Sequence, residues 1–466
     1  MRKYSSYILF LLITLFVAIL SLNGFGPLEN LQRSVNDFLC GITAPDSPRP
    51  NIVVVAIDWR AQDEFGQWPW NHDIIADLLA AIGGAEPKAI AVNLDLSEDA
   101  AQISAGYTSI LAEQLSWINN AVLSYDIALA TYRSGKISNP EYLFNNSVTV
   151  DNPLGLMEES STLQVRKVFL PADRILNNKP FLGFNYTTLD EDRILRHQPL
   201  IMNYEGYYYP SLSLLAAAVY LGVTPSEIKV IEKQEIRLGS KRKIPINDRS
   251  EYFISFPKAQ TFTTYSAAEV LGENFNFSRL KDKLVVVGVP DAVQQETFQT
   301  PVNSEMVELF IKAAVMENII NDNVLIPKNN QPLLNLLIIL IIGAVFAFVL
   351  PQVSAVNRMI ILAVGFIILV NVNYFLLSSF KIIPETVYIA FQLVLMMIAS
   401  PFLDNGLIAN IAAGKHEKER ILPKIEIERK PHLQEPTHKT REIKSTALDP
   451  ENQATAVLEP EEQYPE

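Results

Sequence analysis

Three aspartates each close an apolar run: Asp58 follows IVVVAI, Asp95 follows AIAVNL and Asp126 follows AVLSY. If the runs are neighbouring parallel strands, the carboxylates converge on one sheet edge, where α/β sheets bind ligands. Three acids at one edge could share a hard cation such as calcium or magnesium. The local alternative is that each acid caps the next helix or accepts turn amides. Between the first two runs lies FGQWPWNHD, with Trp68, Trp70 and His72. Two tryptophans can form a stacking platform for a ligand, or lock a strand–helix corner by burial. The ligand-binding candidates are therefore Asp58, Trp68, Trp70, His72, Asp95 and Asp126. The residues single out no cofactor and no particular metal. Nucleophile-elbow, zinc-ligand and phosphate-loop spacings are missing from the sequence, so it nominates no catalytic residue and reads as a non-enzyme.

The elements that must position these residues alternate as in an α/β fold. IVVVAID is a continuous apolar run, as expected of a strand covered on both faces. HDIIADLLAAIGG reads as a helix, with Asn71 as its N-cap and Asp73 at its positive end. AIAVNLDL, the helix ISAGYTSILAEQLSWIN and the strand AVLSYDIAL continue the alternation. KPFLGFNY is a further strand, and HQPLIMNYEGYYYPS a hairpin turning at Glu205-Gly206. SLSLLAAAVYLG is a helix capped by Ser211 and stopped by Gly222. Two more strand segments, EIRLGSKRKIPI and SEYFISFPK, precede the inner strand KLVVVGVPD and the helix MVELFIKAAVMENIIND. The expected class is an α/β domain with a largely parallel central sheet plus antiparallel hairpins. LDEDRILRHQPL, with Arg193 and Arg196, reads as a solvated hairpin end whose surface ion pairs are worth little.

Hydrophobic spans frame this domain. Residues 1–23 contain a nearly uninterrupted apolar run, Tyr7–Leu22, behind Arg2 and Lys3, and read as a retained transmembrane anchor rather than a cleaved signal peptide. Leu333–Leu350, Met359–Phe380 and Ile382–Leu403 each approach the ~20 apolar residues that cross a ~30 Å hydrocarbon core. Four transmembrane helices result. Arg2, Lys3, Arg358 and the basic start of the tail place both termini in the cytoplasm and the block 24–328 outside, in a multi-pass inner-membrane protein. That block has 37 acidic and 25 basic side chains, which argues against nucleic acid or anionic lipid as its partner. Residues 24–50 read as a membrane-proximal linker, with Leu28, Leu31, Val35 and Phe38 at helical spacing before APDSPRP. Residues 51–328 form the external domain, 329–403 the three closing spans, and 404–466 a polar, Pro-punctuated cytoplasmic tail expected to be disordered. Glu385 is expected at the membrane interface. Cys40 is the single cysteine; it reads as a buried small residue, or as an intermolecular bridge in a homodimer.

IVVVAID, FGQWPW, AIAVNLDLSED, GFNYTTLDEDRILRHQPLIMNYEGYYYPSLSLLAAAVYLG, FTTYSAAEVL and KLVVVGVPDAVQQETFQTPVN occur in this order from about 27 to 325. This ordered set resembles the second type of CHASE domain, the cyclase- and histidine-kinase-associated sensory extracellular domain. The chain departs from the family pattern at Asn93-Leu94 and Asp95-Leu96, and at Met306–Phe310. The resemblance implies an extracytoplasmic sensor for a small ligand or partner, followed by three membrane helices. Residues 404–466 are too few for a kinase or cyclase domain of ~100 residues, so a cytoplasmic or membrane signalling partner is implied. An envelope scaffold that docks another external protein is the main alternative, and a metal-dependent hydrolase built on Asp58, Asp95 and Asp126 a weaker one.

Overall fold

A computed structural model describes residues 2–97, 105–129, 140–151, 162–258, 262–290, 297–326 and 332–403. The expected tail, 404–466, lies outside the described residues. The chain begins with α1 (Arg2–Asn23) and, after a bend of 80° at Gly24–Phe25, α2 (Gly26–Thr43). The α/β domain then follows the expected alternation: β1 (Ile52–Ala56), α3 (Trp59–Phe65), α4 (His72–Gly84), β2 (Ala89–Asn93), α5 (Ala105–Trp117) and β3 (Ala121–Ala128). Then come β4 (Lys167–Phe169), β5 (Phe181–Asn185), α6 (Leu212–Tyr220), β6 (Thr263–Ser266), β7 (Leu284–Gly288) and α7 (Glu308–Ile320).

These seven strands make one sheet in the order β6-β1-β7-β2-β3, with β4 and β5 both pairing with β3. Every pairing is parallel except β3 with β4. The continuous apolar runs are explained by burial on both faces. Val53 and Val55 face α4 and α5, whereas Ile52 and Val54 face α6 and α7. Smaller antiparallel pieces complete the domain, among them the hairpin 201–210 turning at Glu205-Gly206, as expected, and the Glu235–Leu238/Arg242–Pro245 pair. Gly183 of β5 is required by a close approach: a Cβ there would lie 2.5 Å from the Cα of Leu212 at the start of α6. Ser211 caps that helix through Leu214 N (3.2 Å). Asn71 does precede α4, but its side chain makes no cap bond; Asp73 Oδ1 instead accepts from Ile74 N (3.0 Å).

The apolar helices outside this domain are α1, α8 (Pro332–Val349), α9 (Ala355–Phe380) and α10 (Val387–Ala399). Leu333–Gln352 and Ala355–Phe380 are each long and apolar enough to cross a membrane, and Tyr7–Asn23 with its bent continuation makes a third candidate. The fourth expected span is shorter than the hydropathy run suggested: α10 has 13 residues, about 20 Å at 1.5 Å per residue. Its expected first turn is taken by another partner. Ile326 N donates to Lys381 O (2.7 Å) and Ile383 N to Ile326 O (3.0 Å), and Pro384 follows. The segment 381–386 is therefore non-helical, with Lys381 left-handed (φ 59°), and the helix starts at Val387. Two or three membrane-crossing helices, rather than four, meet the length criterion among the described residues. α1, α8 and α10 pack together at Gln392, whose Nε2 donates to Thr14 Oγ1 (3.0 Å) beside Gly343.

Candidate functional site

Parallel strands direct their carboxyl ends to one edge of a sheet, and here that edge carries a crevice of about 580 Å3. Trp68 forms one wall, from the turn between α3 and α4. Asn93 ends β2 and Asp95 follows it; Ser124 and Asp126 lie near the end of β3, and Asn185 ends β5. Local bonds fix several of these groups. Asp95 Oδ1 accepts from Ser97 N (3.0 Å), and Ser124 Oγ donates to Leu94 O (3.0 Å). Other groups are poised rather than satisfied. Asn185 Oδ1 and the Tyr125 hydroxyl, both lining residues, are buried without a hydrogen-bond partner among the described residues. A buried polar atom left unpaired costs about 1–3 kcal/mol, so such atoms mark places where a ligand or water belongs.

The six candidates separate into three roles. Trp68, Asp95 and Asp126 meet in the crevice. Trp70 and His72 lie beneath it as packing. Trp70 is buried edge-on against Phe65 (centroids 5.7 Å apart), and its Nε1 donates to Gly66 O (2.6 Å). His72 is buried at the start of α4 with Nδ1 3.1 Å from Thr108 Oγ1, and its Nε2 has no partner among the described residues. Burial lowers the His72 pKa, against the opposing pull of Asp73 and Asp95. Asp58 is elsewhere: its Oδ1 accepts from Ala61 N (3.1 Å), capping α3, and from Ser266 Oγ (2.6 Å). The expected three-acid cluster does not form, because β7 is inserted between β1 and β2. Among the described residues no group of three or more His, Cys, Asp or Glu is placed to hold a metal ion.

Sequence reasoning missed Asn93, Ser124 and Asn185. Their signal was a polar residue at or near the carboxyl end of an apolar strand, the same signal that exposed the aspartates. It also missed Lys312, which is 1% exposed on α7. Its Nζ donates to Tyr186 O and Thr187 Oγ1 (both 2.9 Å), just after β5, and pairs with Glu308 (3.3 Å). Burial lowers the Lys312 pKa, with Glu308 and Asp126 opposing. This lysine ties the strand end beside the crevice to α7, which leads toward the membrane.

A second polar centre joins the domain to α2 and corrects the reading of LDEDRILRHQPL. Arg193 is exposed, but the Arg196 side chain is only 4% exposed. Its guanidinium forks onto Asp37 of α2 (2.7 and 2.6 Å) and also reaches Asp190 (2.8 Å) and Asp192 (2.9 and 2.8 Å). His197 Nδ1 lies 3.0 Å from Asp190. Hydrogen bonding from Arg196 holds the Asp192 carboxyl down at about 2. On its other side α2 meets the membrane helices: Gln32 Nε2 donates to Pro384 O and Val387 N to Gln32 Oε1, both at 2.9 Å. Cys40 sits between these contacts, packed with Leu39, Phe253 and Leu377. Burial first, and Asp37 second, push its thiol up to about 12. It is partly buried rather than fully enclosed, and a thiol raised this far is a poor reporter of a dimer.

The model of the CHASE2 domain matches residues 11–348, well over half of the chain, including the crevice, α2 and the Arg196 centre. Comparisons with curated proteins and with solved structures find no match. The matched span runs from α1 through the sheet into α8, so the chain belongs to the CHASE2 family of sensory extracellular domains.

Proposed function

We propose that this protein is a membrane-anchored sensor whose α/β domain, outside the cytoplasmic membrane, takes a small polar ligand in the crevice of Trp68, Asp95 and Asp126. The observation that carries the reading is this crevice, placed where parallel sheets bind ligands and lined by unsatisfied polar atoms. Two carboxylates and the face of Trp68 favour a ligand with an amine or several hydroxyl donors. Its signal leaves by two routes: through Lys312 on α7, and through Arg196 and Asp37 to α2. A partner protein in or across the membrane receives it. In this reading all four apolar helices cross the membrane, α10 being completed by the non-helical segment 381–386 and the turn Ser400–Leu403, and both termini are cytoplasmic. Reporter fusions at Asn120 should be active outside, and at Ser354 and Gln453 inside; an external Gln453 would overturn the topology.

Leu31, Phe38 and Ile42 make an exposed apolar stripe along α2. That stripe supports a homodimer in which two α2 helices pair, so that a ligand moves four exits together. Ligand binding is tested on the full chain in detergent by a thermal-shift screen of metabolites and divalent ions. A ligand should raise the melting temperature of the wild type and fail to do so for Trp68→Ala and Asp126→Asn. Equal shifts in all three proteins would place its site elsewhere.

A further inference from the structure

The membrane helices leave a space of their own. α8 packs on α1, whereas α9 packs on α10 and α2. The two helices, joined by the tight turn Leu350–Gln352, therefore diverge as they rise toward the α/β domain. They close on each other near Gly365, where a Cβ would lie 3.2 Å from Phe346 Cζ. Above that contact lies an apolar cavity of about 690 Å3, walled by Ile338 and Ile342 of α8, Ile368 and Val372 of α9 and Ile389 of α10. Water finds few partners on such walls.

The end of the cavity nearest the domain is different. Glu29, Gln32, Asn335 and Glu385 line it. Tyr388 Oη donates to Glu29 Oε1 (2.6 Å) and Asn335 Nδ2 to Glu385 Oε2 (2.5 Å), so a hydrogen-bond donor orients each carboxylate. Glu29, Gln32, Ile383 and Glu385 also line a second cavity, of about 390 Å3, between α2 and the domain. Arg33 and Arg249 are in its wall together with Asp190, Glu191, Asp248 and Glu251, and Arg33 pairs with Glu191 at 3.2 Å. The two spaces thus meet at a pair of carboxylates, with hydrocarbon on one side and a charged wall, richer in acids than in arginines, on the other.

We propose that these joined cavities form a binding site for one zwitterionic, amine-headed phospholipid of the surrounding leaflet. An acyl chain fills the apolar cavity. The ammonium lies against Glu29 and Glu385, and the phosphate reaches the arginines, whose fork suits its oxygens. Charge order selects the occupant: a primary ammonium donates three hydrogen bonds to carboxylates, whereas an anionic glycerol head meets them with like charge. This lipid site is separate from the proposed ligand crevice and does not depend on it.

The test uses the full chain purified in mild detergent, with phosphatidylethanolamine and phosphatidylglycerol of matched chains added in equal amounts and retained lipid read by native mass spectrometry. The wild type should retain one phosphatidylethanolamine at least tenfold over phosphatidylglycerol. Glu29→Gln with Glu385→Gln should abolish that preference, and Val372→Trp, which fills the cavity, should remove the bound lipid of either kind. Equal retention of the two lipids by the wild type would overturn the proposal, and that result needs no variant to fold. So would an unchanged preference in the double variant, or full retention in Val372→Trp, either of which would mean that the lipid is only part of the surrounding annulus.

Discussion

Arg196 and Asp37 are 159 residues apart in sequence and form a two-pronged pair, at 2.7 and 2.6 Å, between the sensor domain and α2, the helix that follows the first apolar helix. Breaking a buried pair strands the remaining charges, at a cost of roughly 3–5 kcal/mol. Arg196→Ala should therefore lower stability by about 3 kcal/mol in denaturant titrations. Arg196→Lys should recover only part, because an ammonium lacks the planar fork. Asp190 and Asp192 both titrate below their ordinary value, despite the burial that opposes this at Asp190. Their contribution is thus complete above the usual carboxylate range and is lost as pH falls through it toward about 2, the Asp192 value. A wild-type protein no more acid-sensitive than Arg196→Ala over that window would contradict the assignment.

The aspartates at the sheet edge should divide by role. Asp58→Asn keeps an acceptor oxygen at the cap of α3 and so costs little stability, and it should leave any ligand-induced melting shift intact. Asp95→Asn and Asp126→Asn should remove that shift at unchanged far-UV circular dichroism. The comparison fails if Asp58→Asn behaves like the other two.

His72 gives a pH dependence of opposite origin. Its folded-state pKa is depressed by burial below 6.5, so the unfolded chain binds the proton first. Stability from the neutral ring is complete above 6.5 and falls as pH drops below it. His72→Gln should lower stability at neutral pH yet flatten its decline between pH 6.5 and 5, as read by melting temperature.

Gly183 is held by backbone rather than by side chains. A Cβ there would press on the Cα and N of Leu212 at 2.5 and 2.6 Å. Gly183→Ala should cost at least about 1–3 kcal/mol, visible as a lower melting temperature. Gly206→Ala provides the contrast: nothing lies within 4 Å of its added Cβ, and only its positive φ is strained.

Cys40, with its thiol pushed up to about 12, should react with maleimide far more slowly in the folded protein than in urea. In a Cys40→Ser background, Phe38→Cys, at a side chain 67% exposed, should label readily. If the proposed homodimer forms along α2, it should also give a disulfide-linked dimer on mild oxidation, whereas Cys40 itself should not. Fast labelling of native Cys40 would show that α2 separates from Phe253 and Leu377.

The sequence by itself determined what depends on local pattern. Two-sided apolar runs dictated buried parallel strands such as β1, β2 and β7, because such runs leave no polar face for water. Ser211 and Gly222 bracketed α6, since caps and positive-φ stops act within a few residues. The family resemblance was also legible there, in segments kept in order. Tertiary structure alone decided how these pieces neighbour one another. Asp58 and Asp95 end similar strands, yet β7, from nearly 200 residues further on, separates them, and strand order is a choice of long-range pairing that local pattern does not encode. Arg196 read as a surface charge because Asp37, which joins the nearby Asp190 and Asp192 around it, comes from 159 residues away, and burial is a property of the assembled whole. The late start of α10 has the same cause: Ile326 competes for the backbone of residues 381–383, and hydropathy counts only side chains.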